Sequence, residues 1–126
     1  MKRGWLAVAL LVVMAALALW HVWYLTGLTG ELTTALEQAE GLAEGRDWQG
    51  ASALTRQAQD RWDGASVLLH ITLDHEVMDE VSVGFAETLE YLQMEEREEY
   101  SAANARLMER LALLSEMERP NVENLL

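Results

Sequence analysis

The sequence predicts an all-α protein: one N-terminal transmembrane helix followed by a small antiparallel bundle of about four helices. Residues 5–25 carry no charged side chain, apolar residues recur at helical spacing after them, and no segment alternates as a strand does. We expect two parts, an N-terminal cytoplasmic stub and transmembrane anchor at residues 1–25 and an extracytoplasmic acidic helical domain at residues 26–126.

The uncharged run is long enough to cross a bilayer. Its 21 residues, at about 1.5 Å each, cover the roughly 30 Å hydrocarbon core. Lys2 and Arg3 precede the run, and basic flanks stay in the cytoplasm. We therefore expect a single-pass protein of the cell membrane, with a cytoplasmic N-terminus. Trp20 and Trp23 suit the outer headgroup level.

A cleaved signal peptide is the alternative interpretation of the same run. Residues 16–18, Ala-Leu-Ala, resemble a cleavage site after a short apolar core. The apolar run continues past this site to Leu25, which favours an uncleaved signal anchor.

The charge of the outer domain excludes some partners. Seven basic residues stand against 21 acidic ones after Leu25, a formal charge of −14. Such a domain is repelled by nucleic acid and by anionic lipid. The chain has no cysteine, which excludes thiolate catalysis and iron–sulfur clusters.

The outer domain begins with a junction that contains two glycines, Thr26 to Gly30, which we interpret as a flexible joint or a frayed helix start. Four helical segments follow. Asp47 and Asp74 are the expected N-caps of the second and third, and Pro120 is expected to end the fourth. Their apolar stripes are Leu28, Leu32, Ala35, Ala39 and Leu42; Trp48, Ala51, Leu54, Ala58, Trp62, Ala65, Leu69 and Leu73; Met78, Val81, Phe85, Leu89 and Leu92; and Tyr100, Ala103, Leu107, Leu111 and Leu114.

One polar cluster suggests metal binding. His70 and Asp74 are four residues apart, as are His75 and Asp79, and on a continuous helix each pair lies on one face. Imidazole and carboxylate ligands suit zinc, manganese or iron. The competing interpretation is helix capping by Asp74 and packing at the edge of the stripe. We expect no cofactor and no enzymatic activity, because no nucleophile, phosphate loop or catalytic lysine is recognisable.

Several short motifs together resemble a known family. They are the anchor, the pair Asp47-Trp48, Trp62, the segment His75-Glu76-x-x-Asp79 and the ending Asn124-Leu125-Leu126. The chain resembles the small single-span bacterial membrane proteins grouped as domain of unknown function 4363, with leucine replacing isoleucine in the ending. The resemblance implies no activity and no functional residue. It does imply endospore-forming Gram-positive bacteria and a gene neighbour that encodes a YetF-like multi-span membrane protein.

The function expected from these observations is a membrane-anchored helical interaction module, part of a membrane protein complex and related to sporulation. Its partner would be a protein, with the YetF-like protein as the candidate and a homo-oligomer as an open alternative. Val83 and Tyr91 lie off the main stripe of the third segment and form a hypothetical partner-facing patch. A metal-binding protein that uses His70, Asp74, His75 and Asp79 is the alternative function.

Overall fold

A computed structural model describes residues 2–71 and 73–125, with side chains described through residue 116. It contains four helices: α1 (Lys2–Glu44), α2 (Trp48–Leu69), α3 (His75–Gln93) and α4 (Arg97–Leu125). The described ranges hold no strand, and the predicted all-α fold is confirmed.

The predicted anchor segment and the first helix of the bundle are one element. The predicted joint at residues 26–30 is wrong, because α1 passes through it without a break. A glycine inside a helix costs roughly 0.5–1 kcal/mol relative to alanine. Here Leu25, Leu28 and Leu32 are buried around the two glycines, and this packing outweighs the weak local propensity. With 43 residues, α1 is about 64 Å long.

The second half of α1 is one of the four helices of an antiparallel bundle. It packs against α2 and α4, and α3 packs against the same two helices, so α1 and α3 are diagonal. Short connections join each helix to the next, as expected of antiparallel neighbours. One end of the bundle therefore lies beside residue 25 of α1, and the other lies beyond Glu44.

The predicted N-caps are confirmed. The backbone N–H of Gly50 donates to Asp47 Oδ1 at 2.9 Å, and that of Glu76 donates to Asp74 Oδ1 at 3.2 Å. Each carboxylate thus satisfies a donor that the first turn leaves without an intrahelical partner. The end predicted for α4 is wrong, because the helix continues through Pro120 to Leu125. Proline removes its own hydrogen bond from a helix, but the hydrogen bonds of the residues on either side can still form.

The predicted stripes form two core clusters. The larger lies at the end nearest residue 25 and joins all four helices around Trp62, whose indole N–H donates to Ser82 Oγ at 3.2 Å. The smaller lies at the far end and consists of Ala39, Ala43, Ala51, Leu92 and Tyr100. The stripe members Ala35, Leu42, Trp48, Leu54, Leu73 and Leu89 are only half-buried. The sequence analysis missed Leu25 and Leu36, which are fully buried.

Candidate functional site

The first half of α1 carries apolar side chains that the described part of the chain leaves uncovered. Trp5, Leu11 and Leu17, among others, are exposed, and none of residues 2–20 is buried. This part of the helix is long and apolar enough to cross a membrane. At its outer end the rings of Trp20 and Tyr24 stack with their centroids 5.4 Å apart.

The predicted metal cluster is divided between two helices. His70 follows the last residue of α2, Asp74 caps α3, and His75 begins α3. His70 and Asp74 therefore do not share a continuous helix, and their predicted placement on one helix face is wrong. His75 and Asp79 do share α3, and all four side chains are exposed.

The cluster brings together two imidazoles. The ring centroids of His70 and His75 are 4.9 Å apart. Within residues 2–71 and 73–125, no group of three or more His, Asp or Glu side chains is placed to hold a metal ion. Asp74 is engaged with the backbone of Glu76 as a helix cap. In the described structure Asp74 caps the first turn of α3. Metal binding stays a prediction.

A shallow groove lies where α2 passes the outer end of the uncovered segment. It is lined by Trp23 and Tyr24 of α1 and by Arg61 of α2, among others. Arg61 Nε donates to Glu31 Oε2 at 3.1 Å, and this carboxylate raises the pKa of Arg61. The pair is exposed and adds little stability, but it shows that Arg61 of α2 lies near Glu31 of α1.

Three apolar residues at the end of α2 and directly after it are exposed. Val67, Leu68 and Ile71 expose 74%, 48% and 84% of their surface, and we call them the apolar tip. The sequence analysis missed them, although their positions relative to the stripe residues Ala65 and Leu69 carried a signal. Val67 and Ile71 are four residues apart and lie off that stripe, so they share a different face.

The hypothetical patch on α3 is only half present. Val83 is 61% exposed. Tyr91 is half-buried and packs against the smaller core cluster, so of the two residues only Val83 is exposed, and the partner-facing patch stays a hypothesis. An aromatic ring beside the stripe reaches back over the core, whereas the short valine does not.

A polar contact missed by the sequence analysis ties α4 to α1. The buried Asn104 side chain donates through Nδ2 to Leu36 O at 3.1 Å and to Glu40 Oε1 at 3.3 Å. Among the described residues, neither Asn104 Oδ1 nor the Tyr100 hydroxyl has a hydrogen-bond partner. Burial raises the pKa of Tyr100, and the nearby Glu40 carboxylate raises it further. An asparagine directly beside stripe residue Ala103 was the available signal, since buried amides need partners.

Comparison with protein families identifies the chain. A family model described as a domain of unknown function, DUF4363, matches residues 19–125. The chain belongs to the DUF4363 family. The matched range contains the outer end of the uncovered segment and the whole bundle, so the DUF4363 unit is the bundle together with the helix that enters it. No curated protein and no solved structure shows significant similarity to the chain.

Proposed function

We propose that this DUF4363 protein is a membrane-anchored helical interaction module. In this proposal α1 crosses the cell membrane, its N-terminus is cytoplasmic, and the bundle holds a protein partner on the outer side. The observation that carries the proposal is the division of α1. Its first half leaves its apolar side chains uncovered, and its second half is a wall of the bundle with no break between them.

The charge distribution supports this orientation. Lys2 and Arg3 flank the inner end of the apolar segment, where basic residues favour the cytoplasm. The bundle's formal charge of −14 keeps it soluble beside the membrane and repels it from anionic headgroups.

The partner suggested by the family resemblance is a YetF-like multi-span membrane protein in a spore or forespore envelope. A partner in the same membrane suits a bundle that follows its anchor without a linker, because the short tether confines it to that surface. The polar groups near the uncovered segment support an interaction role over catalysis, since Asp74 caps α3 and Arg61 pairs with Glu31.

Membrane integration is tested on the full chain in its native cells. We expect the protein to resist alkaline carbonate extraction, to keep an N-terminus upstream of residue 19, and to be digested by protease added from the outer side. A mature N-terminus at residue 19 would show cleavage after Ala18 and contradict the anchor.

The interaction is tested by crosslinking in native membranes followed by purification through a C-terminal tag. We expect recovery of a YetF-like multi-span protein. Val83→Glu places a charge on the exposed residue of α3 and should reduce this recovery. Ala53→Glu places the same charge at an exposed position of α2 and is the matched control. Equal recovery with both variants would exclude Val83 from the interface, and absence of the partner from the wild-type sample would contradict the proposed pairing.

Metal binding is the second candidate, favoured by the proximity of the His70 and His75 rings. Two imidazoles with a further ligand can bind zinc, manganese or iron. Elemental analysis of the purified protein, with a thermal shift on adding each metal, tests it. A stoichiometric metal that is lost in His70→Ala and in His75→Ala would support this function. No metal and no shift would remove it.

A further inference from the structure

We propose that the apolar tip, Val67, Leu68 and Ile71, inserts into the outer leaflet of the bilayer that α1 crosses. The chain would then touch the membrane at two places, the helix that spans it and the end of α2 that returns to it. This inference rests on the proposed anchoring, and the experiment below separates the failure of one from the failure of the other.

The depth of the tip follows from the register of α1 and α2. The two helices are antiparallel neighbours, and a short connection joins the end of α1 at Glu44 to the start of α2 at Trp48. Residues that are equally far from this connection lie level, as residues 31 and 61 are, and the ion pair Arg61–Glu31 at 3.1 Å agrees with this register. Val67 and Ile71 follow Arg61 by six and ten residues, or about 9 and 15 Å along the helix direction. They therefore lie level with about residues 25 and 21 of α1.

Two observations agree with this register. Leu69 of the last turn of α2 and Leu25 of α1 belong to the same core cluster, at one end of the bundle. The N–H of Ile71 donates to Leu68 O at 3.4 Å, so Ile71 lies in a turn directly after the end of α2. At this level α1 carries its aromatic residues, Trp20, Trp23 and Tyr24, which favour the boundary between headgroups and acyl chains.

Among the described residues that follow the uncovered segment, the tip holds the most exposed large apolar side chain. Ile71 is 84% exposed, more than Trp5 at 78%, although Trp5 belongs to the segment proposed to cross the membrane. Val67, Leu68 and Ile71 fall within one outward-facing arc of the helical turn. At the level of the leaflet, lipid can cover these side chains. The transfer of apolar surface from water into the membrane boundary lowers the free energy.

The two sides of this end of the bundle differ. On the α4 side, Ser115 lies 3.5 Å from Thr26 between hydroxyl oxygens, and the next residue is the exposed acidic Glu116. On the α2 side the apolar tip is exposed, and the exposed polar residues His70, Asp74, His75 and Glu76 lie at or shortly after the end of α2. A tilt of α1 toward the tip would lower the end of α2 into the leaflet and lift α4. Tilts of about 20° are ordinary for membrane helices.

The chain contains no cysteine, so single cysteines can be labelled without background. We would place an environment-sensitive fluorophore on Ile71→Cys, Met94→Cys and Val12→Cys in the full chain, reconstituted in nanodiscs of zwitterionic phospholipid. Met94 is the matched control because it is an exposed apolar residue directly after the end of α3, at the far end of the bundle. Val12 reports on the span itself.

We expect the labels at positions 71 and 12 to emit at shorter wavelength, to be quenched by spin-labelled lipids, and to show several-fold weaker quenching by aqueous iodide than the label at position 94. If position 12 is lipid-protected while position 71 is as iodide-accessible as position 94, tip insertion is overturned and the anchor stands. If position 12 is also accessible, the anchoring itself fails. Protection at position 71 from iodide without quenching by spin-labelled lipid means that protein covers the tip, which also overturns the inference.

Discussion

The two halves of α1 are parts of one helix with opposite surroundings. Residues 2–20 bury no side chain, whereas Leu25, Leu32 and Leu36 in the second half are all but fully buried in the bundle. Both halves are rich in leucine and alanine, so their apolar residues alone do not separate them. The difference is that the second half alternates an apolar stripe with acidic and hydroxyl residues, while the first half is apolar all round. A helix that is apolar all round needs an apolar solvent, and one with a stripe needs a partner on one side.

The largest effect on stability is expected from truncating a leucine that is buried in the bundle core. Leu36→Ala should lower the free energy of unfolding by about 2–5 kcal/mol, because it leaves a cavity at a fully buried position. The same change in the first half, Leu11→Ala, should alter bundle stability by less than about 0.5 kcal/mol. Denaturation of the full chain in detergent, followed by near-ultraviolet circular dichroism, measures both. Equal losses would mean that the first half also packs against protein.

A charged substitution should show the opposite pattern, with a large effect in the first half of α1 and none in the second. Leu11→Arg places an ion near the centre of the proposed span, at a cost of about 2.5–3.5 kcal/mol, and should strongly reduce the carbonate-resistant fraction. Gln38→Arg adds the same side chain at an exposed position of the second half and should leave this fraction unchanged. If Leu11→Arg fractionates like the wild type, the first half does not lie in lipid.

The junction between the halves can be tested through its glycines. Neither Gly27 nor Gly30 has a neighbouring atom that an added Cβ would meet. If the helix is continuous, replacing each by alanine should raise the free energy of unfolding by roughly 0.5–1 kcal/mol and leave recovery of the partner unchanged. Loss of partner recovery in the doubly substituted chain would restore the flexible joint that the sequence suggested.

The smallest effect is expected at Tyr100 of α4, which lies near Glu40 in the second half of α1. Burial raises the pKa of Tyr100, whereas in the unfolded chain a tyrosine ionises near about pH 10. This difference stabilises the fold fully below pH about 10, and the stabilisation is lost as pH rises through the folded value. Tyr100→Phe should therefore weaken the alkaline loss of stability. At neutral pH it should be neutral or stabilising by less than about 1 kcal/mol, because the hydroxyl has no partner among the described residues. Tyr91→Phe is the control, and an unchanged alkaline profile in Tyr100→Phe would exclude Tyr100 as its source.

Much of the fold was predictable because helical periodicity is strong in this chain. The stripes, the two aspartate caps and the all-α class follow from spacing and side-chain chemistry. Two predictions failed at breaker residues. Gly27 and Gly30 did not break α1, and Pro120 did not end α4. Local propensity was the only basis for both predictions, and in α1 the packing of neighbouring leucines outweighs it.

The candidate site was predicted less well than the fold. Sequence spacing assumed one helix for His70 and Asp74, and the turn between α2 and α3 separates them. The sequence spacing within each helix does not show the register between α1 and α2, which depends on the short connection between them and appears in the contact between Arg61 and Glu31, residues 30 positions apart. Without that register, Val67 and Ile71 were ordinary exposed residues. With it, they lie at the depth of the aromatic residues of α1.

The central claim is that one rigid helix both spans the membrane and builds the bundle. The most direct test is the distance between spin labels on Val12→Cys and Gln38→Cys, measured in the full chain in lipid nanodiscs. An unbroken helix separates these backbone positions by 26 residues, or about 39 Å, and the account predicts one narrow distribution at that distance, broadened only by the label tethers. A broad distribution, or one centred at a clearly shorter distance, would show a bend or joint between the halves and contradict the claim.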